Sequence, residues 1–257
     1  MGTYTLDMDF SALNGPKANE WLANFREIAR DAFADKDSRC RLLGNLLVLE
    51  RYIHTLEQGL RQTGKPLSKG TRSAVDQLWA YLEGHTVPAD FADFANNLYA
   101  CLLFYDVGES LSDEQAAFDK AYFGDVDYLR AGEDTAAGWA FGVLLQLVAI
   151  EGGRLDYSEF TRCTQVDFAG IQEMLELLDD ACIELTGTPC PSNEAGNYLN
   201  ALKEVHLTPL FRQIVSHIQH DLQTARTALP EQYGALREAY REKTILPEEY
   251  AGAFLAC

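Results

Sequence analysis

Three of the five histidines lie in the last quarter of the chain, and they are the residues best suited to metal chemistry. His206, His217 and His220 are separated by nearly whole helical turns, so one helix face could present them together. Imidazole nitrogens and the carboxylate of Asp221 are ligands that zinc accepts. No second carboxylate-histidine cluster accompanies them, which favours solvated or capping histidines. A metal-dependent hydrolase using His217, His220 and Asp221 is the alternative function.

Two other sets of residues have part of a metal-site pattern. Asp179 and Asp180 are adjacent, but Ile183 stands where an aspartate-rich magnesium motif has its third carboxylate. Glu50 and His54 are one helical turn apart, yet the Glu-x-x-His pairs of di-iron bundles are missing. The second set is therefore interpreted as a hydrogen-bonded pair on the surface.

The chain also lacks the signatures of common catalytic sites. It contains no glycine-rich phosphate loop and no nucleophile elbow, and no cysteine-histidine dyad is visible. We therefore expect a non-enzymatic protein with no cofactor and no bound metal.

The formal net charge of -18 is concentrated in the middle of the chain. Residues 90–194 hold 21 acidic and 4 basic side chains, whereas residues 1–89 hold 11 of each and residues 195–257 hold 7 acidic and 6 basic. Acidic surface that keeps a protein in solution is one interpretation. The other is a negative face that attracts a basic partner, because summed charge raises association rates and selects the sign of the partner. The concentration of charge favours the second.

Acidic residues beside two predicted helix links are the candidate contacts with this partner. They are Asp106, Glu109, Asp113, Glu114, Asp125 and Asp127. Stacked helical pairs would bring such links to one edge, where their potentials add. No basic footprint for phosphate contacts is visible, so we expect a basic protein partner and no nucleic acid.

The six cysteines form neither a C-x-x-C pair nor a regular disulfide framework. We expect all six to be free thiols, with Cys101 and Cys182 buried on apolar helix faces. No basic and apolar leader opens the chain, and no apolar run reaches the roughly 18 to 20 residues needed to cross a bilayer. These features predict a cytoplasmic protein that does not contact a membrane.

Apolar periodicity, helix caps and glycine or proline breaks predict an all-α protein. Helices are expected over residues 21–32, 38–62, 68–83, 89–106, 112–123, 136–150, 158–185, 195–205, 209–228 and 231–243. Residues 1–14 are interpreted as an extended or flexible arm, and Pro247 is expected to leave only a short tail. We predict one domain over residues 1–257, built of antiparallel helical pairs.

The most apolar of these segments is residues 136–150, which Gln146 alone interrupts with a polar side chain. We predict that it forms a buried helix against which the other helices pack. Fifteen residues are too few for a membrane span, and Asp134 and Glu151 flank the segment.

A 44-residue spacing relates Gly64, Gly108 and Gly152. Each is followed by leucine three residues later and by a helix-capping residue four residues later. Periods of about 40 to 47 residues are typical of two-helix repeats. The spacing therefore predicts a helical hairpin repeated three times, with chance coincidence among short helix links as the other explanation.

An acidic, all-helical chain with long amphipathic helices, such as residues 38–62 and 158–185, resembles the helical immunity proteins of bacterial polymorphic-toxin systems. The resemblance lies in general character over most of the chain, and no motif is shared. It implies tight, non-enzymatic binding to a toxin, often a basic nuclease. It assigns no contact residues to this chain.

Overall fold

The computed structural model describes residues 4–64, 69–84, 93, 97, 111–122, 166–189 and 195–255. In this part the chain forms ten α-helices, is 77% helical and contains no strand. The predicted all-α fold is confirmed. Within the same ranges, no helix is both long enough and apolar enough to cross a bilayer.

Ten ranges define the α-helices of the described part. They are α1 (Gly15–Ala23), α2 (Phe25–Ala32), α3 (Ser38–Gln62), α4 (Lys69–Leu82), α5 (Asp113–Tyr122), α6 (Ala169–Thr186), α7 (Ala195–Val205), α8 (Pro209–Thr227), α9 (Tyr233–Tyr240) and α10 (Glu248–Phe254). Helices α3 and α7 have the predicted bounds, and α4, α5 and α8 differ from theirs by at most one residue at each end.

Helix α3 is the central element of the described part. The side chain of Asp37 caps its first turn by accepting a hydrogen bond from the Cys40 amide (2.8 Å). Gly64, whose φ of +74° is accessible to glycine at little cost, follows its last turn. Helices α4, α6, α8, α9 and α10 all pack against α3, so most of its length is buried. The segment predicted to be central, residues 136–150, lies outside the described residues.

The predicted helix over residues 21–32 is two helices in the structure. Helix α1 begins earlier, where the Asn14 side chain accepts a hydrogen bond from the Lys17 amide (3.1 Å). The interruption lies at Asn24, whose side-chain amide donates to the Glu20 carbonyl oxygen (2.7 Å). Such side-chain bonds compete with the helical backbone ladder. The 3.6-residue apolar period continues through this break, which is why the sequence pattern did not reveal it.

Residues 4–13 pack back on the helices instead of forming an extended arm. Leu6 and Phe10 are buried, and the ring of Phe10 meets the ring of Trp21 edge-on at 5.3 Å. The side-chain amide of Gln219, on α8, donates to the carbonyl oxygens of Leu6 (2.7 Å) and Met8 (2.8 Å). These contacts come from distant parts of the chain, so local alternation could not predict them.

Helix α6 begins at Ala169, after residues 166–168, which are not helical. The side chain of Asp167 accepts hydrogen bonds from the Ala169 amide (3.0 Å) and from Arg26 Nε (2.9 Å). The carbonyl oxygen of Asp167 accepts from the side-chain amide of Asn45 (2.9 Å). The start predicted at residue 158 is wrong for residues 166–168, while residues 158–165 lie outside the described part.

The short tail predicted after Pro247 is instead helix α10, which packs against α3. Phe254 is buried and meets the ring of Tyr52 edge-on at 5.6 Å. The segment is only seven residues long. Helices of this length are not stable alone, so tertiary packing and not local pattern accounts for it.

The cysteine prediction is confirmed where the structure describes it. Neither Cys182, which is fully buried, nor Cys40, which has intermediate exposure, forms a disulfide bond. Cys101 and the other three cysteines lie outside the described residues.

Two of the three predicted repeat links are partly described, one through Gly64 and the other through Ser112. Ser112 caps α5, because its hydroxyl accepts from the Gln115 amide (3.2 Å) and the Gln115 side chain accepts from the Ser112 amide (3.0 Å). Gly108 and Gly152 lie outside the described residues. The 44-residue repeat therefore remains a prediction.

Candidate functional site

A buried aspartate-histidine pair joins α6 to the turn that follows α7. Asp179 lies on α6, and His206 comes directly after Val205, the last residue of α7. The Nε2 atom of His206 lies 2.6 Å from Oδ1 of Asp179. Only 2% of His206 and 7% of Asp179 is exposed, so the pair is withdrawn from bulk water.

Packing of two helices, α6 and α8, holds this pair in place. Met174, Leu178 and Cys182 are fully buried and anchor α6 on the side that carries Asp179. The ring of His206 packs against the ring of Phe211, on α8, with 4.6 Å between the ring centroids. Packing against the core therefore holds both members of the pair, including His206, which lies in a turn.

The hydrogen-bonding state of the pair follows from its burial. Burial raises the pKa of Asp179, and the hydrogen bond with His206 opposes this rise. The Nδ1 atom of His206 is buried and has no hydrogen-bond partner among the described residues. The hydrogen bond between the two side chains is therefore the contact that satisfies the buried carboxylate.

A cavity of about 150 Å³ borders the pair. Besides the pair itself, side chains of α1, α6 and α7 line it, including Asn19, Leu22, Gln172, Leu175, Glu176 and Leu202. The Oδ1 atom of Asn19 is a second buried atom without a partner in the described part of the chain. One water needs about 10–15 Å³ of such space, so the cavity has room for several waters or a small polar group.

A close approach of α1 and α7 forms one side of this region. A Cβ atom at Gly15 would lie 2.8 Å from the carbonyl oxygen of Lys203, on α7. Only glycine therefore permits the observed distance between the two backbones. This contact brings Asn19 and Leu22 of α1 to the cavity.

An acidic stripe runs along the exposed face of α6. It consists of Glu173, Glu176, Asp180 and Glu184, all of which are exposed. Their spacing of three or four residues places them on one face of the helix. Partial desolvation, and then the charge of Glu176, raise the pKa of Glu173, as expected for neighbouring carboxylates.

The candidate partner contacts predicted from the sequence divide into two groups. Asp113 and Glu114 are exposed in the first turn of α5, where the helix dipole stabilises negative charge. Asp106, Glu109, Asp125 and Asp127 lie outside the described residues. The prediction that these six acidic residues share an edge remains untested. The acidic stripe of α6 lies in the same segment, residues 90–194, but its residues were not among the partner contacts predicted from the sequence.

Two of the three histidines considered as metal ligands have other partners in the structure, and the third, His220, is exposed. His206 binds Asp179, whereas His217 Nδ1 lies 3.3 Å from the carbonyl oxygen of Ile245. Asp221 is fully buried, and its carboxylate accepts a hydrogen bond from Arg51 Nε. In the ranges that the structure describes, no three His, Cys, Asp or Glu side chains form a group that could hold a metal ion. The hydrolase arrangement of His217, His220 and Asp221 is therefore not formed.

Glu50 is not the surface residue that the sequence pattern indicated. It is fully buried, and its carboxylate accepts hydrogen bonds from Arg72 Nη1 (2.7 Å) and Trp79 Nε1 (2.9 Å), both on α4. His54 instead lies near Glu57 (3.3 Å) and Gln58 (3.2 Å). These bonds join α3 to α4 and leave Glu50 with a structural role.

Sequence reasoning named Asp179 and His206 but did not pair them. The two residues are 27 positions apart and lie on different elements. One signal was present, because Asp179 falls on the apolar face between Leu175, Leu178 and Cys182. A carboxylate in that position needs a buried donor, although the pattern does not say which residue supplies it.

We find no match to this chain among protein families, curated proteins or solved structures.

Proposed function

We propose that this chain is a non-enzymatic, cytosolic protein-binding module whose acidic segment, residues 90–194, binds a basic protein. The acidic stripe of α6 is the observation that carries this proposal. Its four carboxylates project from a helix whose opposite face is anchored in the core. Charges fixed in this way attract a basic surface without a large entropic cost on binding.

The like charges on α6, which destabilise this helix when no partner is bound, support the same function. Like charges three or four residues apart destabilise a helix by roughly 0.2–0.5 kcal/mol per pair. Glu184 also lies in the last turn of α6, where negative charge opposes the helix dipole. A basic partner would offset both effects, whereas solubility alone requires no such arrangement on one face.

The buried pair by itself gives little support to catalysis. None of the described residues that line its cavity is serine, threonine or cysteine, so a histidine-activated nucleophile is missing there. The resemblance to immunity proteins makes a basic nuclease toxin the first partner class to test.

The test measures association rates with a basic partner recovered from the native host at low salt. The rate for the unaltered chain should fall as salt rises from about 50 to 500 mM, because screening shortens the range of the attraction. The double variant Glu173→Lys/Glu184→Lys should associate at least about tenfold more slowly than the unaltered chain at low salt.

A matched control is Glu231→Lys/Glu242→Lys, which makes the same charge change at exposed residues outside the acidic segment. This control should change the association rate by less than about threefold, because its altered charges lie outside the contact and act on the partner only at long range. If both double variants behave like the unaltered chain, or if the rate does not respond to salt, the proposal is wrong.

A further inference from the structure

Helix α7 and the residue pair that follows it carry most of the exposed large apolar side chains of the described part. Four such side chains are exposed there, and three of them belong to this region, namely Tyr198, Leu199 and Leu207. Single exposed apolar residues are ordinary, whereas several on one element mark an interaction surface. We propose that α7, together with the acidic stripe of α6, docks a basic amphipathic helix of the protein partner. The inference rests on the proposed function and names the element that is recognised.

The apolar face of α7, defined by Tyr198, Leu199 and Leu202, lies directly beside the acidic stripe. The spacing of three and four residues before Leu202, which is half-buried, places all three on one side of the helix. The hydroxyl of Tyr198 donates to Oδ1 of Asp180, a member of the stripe (2.8 Å). Leu202 lines the cavity described above together with Glu176, another member of the stripe. The apolar face and the acidic stripe therefore form one surface across α6 and α7.

The cavity gives this surface a place for one apolar side chain of the partner. Ala23 and Glu176 both line it and are exposed, so it opens to solvent. Leu22, Leu175 and Leu202 form its apolar walls. A core cavity of about 150 Å³ with apolar walls holds a benzene ring. The present cavity has about the same volume, 150 Å³, and so has room for a leucine or phenylalanine side chain.

The spacing of the acidic stripe favours a helix over an extended segment. Glu173 and Glu184, its first and last members, are eleven residues apart. This separation is about 16 Å along the axis of α6. Basic side chains on a second helix recur every three or four residues, so a helix of about three turns laid along α6 meets a carboxylate at each turn. An extended strand rises about 3.3 Å per residue and does not keep this spacing.

An amphipathic basic helix fits both parts of the surface at once. Its apolar side packs on the apolar face of α7, and its lysine or arginine flank lies along the stripe, which is the helix-in-groove mode of recognition. A second copy of this chain fits less well. A twofold contact through the same surface would bring two acidic stripes together, and like charges repel.

The test titrates the ¹⁵N-labelled full chain with an acetylated and amidated peptide that contains two copies of Leu-Lys-Ala-Leu-Leu-Lys-Lys. As a helix, this peptide has leucine on one side and lysine beside it. The amide signals of α6 and α7 should shift, and the Cα shifts of ¹³C-labelled peptide should move to helical values on binding.

Two control peptides separate the two parts of the contact. One has glutamine in place of every lysine, and the other has serine in place of every leucine. Each should bind at least about tenfold more weakly at low salt, because the first loses the charge attraction and the second loses the apolar burial.

The variant Leu199→Glu separates this inference from attraction by charge alone. It removes an exposed apolar side chain and makes the surface more acidic, so charge alone predicts unchanged or tighter binding of the basic peptide. Apolar docking predicts binding at least about tenfold weaker. The matched control is Leu229→Glu, which makes the same change at an exposed leucine outside α6 and α7. This control should change the dissociation constant by less than about twofold.

Four outcomes would overturn the inference. The first is the absence of peptide binding at millimolar concentration, and the second is equal binding of the peptide and either control peptide. The third is a bound peptide with extended Cα shifts, or undiminished binding to Leu199→Glu. The fourth is a dimer in sedimentation equilibrium that Leu199→Glu abolishes, which would make a second copy the occupant.

Failure of this inference is distinguishable from failure of the proposed function. If charge reversal on the stripe slows association while Leu199→Glu has no effect on binding, the basic partner stands and the docked helix does not. If the association rate ignores both salt and charge reversal, the proposed function itself fails.

Discussion

Asp221 is a carboxylate with no exposed surface, and its neighbours compensate its burial. Arg51 donates to it from Nε (2.6 Å) and Nη2 (3.0 Å), and the hydroxyl of Tyr240 donates at 2.7 Å. Burial raises the pKa of Asp221, and the bonds from Arg51 oppose this rise. The remaining Nη1 of Arg51 donates to the carbonyl oxygen of Thr244 (3.1 Å). The pair thus ties α3, α8 and the segment after α9 together.

We predict that Asp221→Ala lowers the free energy of unfolding by about 3–5 kcal/mol, because Arg51 would keep a buried charge without a counter-charge. The double variant Arg51→Met/Asp221→Leu should lose less than Asp221→Ala alone, since it removes both charges. Urea unfolding at neutral pH measures both changes. A loss of under about 1 kcal/mol for Asp221→Ala, which is typical of surface pairs, would contradict the prediction.

At the scale of elements, the contact between α3 and α10 depends on a backbone approach at Gly59. A Cβ atom at this position would overlap the carbonyl oxygen of Ala251 and lie 2.9 Å from Leu255 Cδ1. Both neighbours belong to the C-terminal segment that sequence reasoning left as a tail. A substitution at Gly59 therefore tests directly whether α10 packs against α3 as in the structure.

We predict that Gly59→Ala lowers the free energy of unfolding by about 1–3 kcal/mol, because overpacking outweighs the gain in helix propensity. The control is Gly234→Ala on α9, where nothing lies within 4 Å of the added Cβ atom. That variant should be stabilised by up to about 1 kcal/mol. Urea unfolding compares the two, and a stabilised Gly59→Ala would show that α10 is not held against α3 in this way.

Electrostatics at the scale of the whole molecule are dominated by the excess of acidic side chains, 39 against 21 basic ones. Some of these charges form ion pairs between elements, such as Arg26 with Asp167 and Arg237 with Asp76 (2.8 Å). If every basic side chain were matched with an acidic one, the net charge of -18 would remain unmatched. Self-repulsion of a highly charged chain destabilises its compact state.

We predict that raising NaCl from 0.1 to 1 M raises the free energy of unfolding, because the screening length shortens from about 10 Å to about 3 Å. The variant Glu173→Gln/Glu184→Gln should show a shallower increase, since part of the repulsion is already removed. Urea unfolding at each salt concentration measures this. A fall in stability with salt would mean that the ion pairs between elements outweigh the repulsion.

Local sequence pattern was sufficient for the all-α class and, to within one residue, for the bounds of five of the ten described α-helices. The bounds of α3 and α7 agree with the prediction, because helix caps, glycine stops and apolar periodicity act within one or two turns of the chain. The pattern was insufficient at Asn24 and after Pro247. In the first case a side-chain bond interrupts a continuous apolar face, and in the second a short helix exists only through packing.

The sequence by itself determined most of the helical segments of the described part, which of their faces are apolar and where the negative charge lies, since each depends on residue type at local spacing. The tertiary structure decided which polar groups meet. His206 is 27 residues from Asp179, and Arg51 is 170 residues from Asp221. Such pairs depend on how helices cross and on which buried donor reaches which acceptor, and neither follows from the period of a single helix. For that reason the metal site considered as the alternative at His217, His220 and Asp221 is replaced by a salt bridge between Arg51 and Asp221, and the cavity beside Asp179 was not predicted.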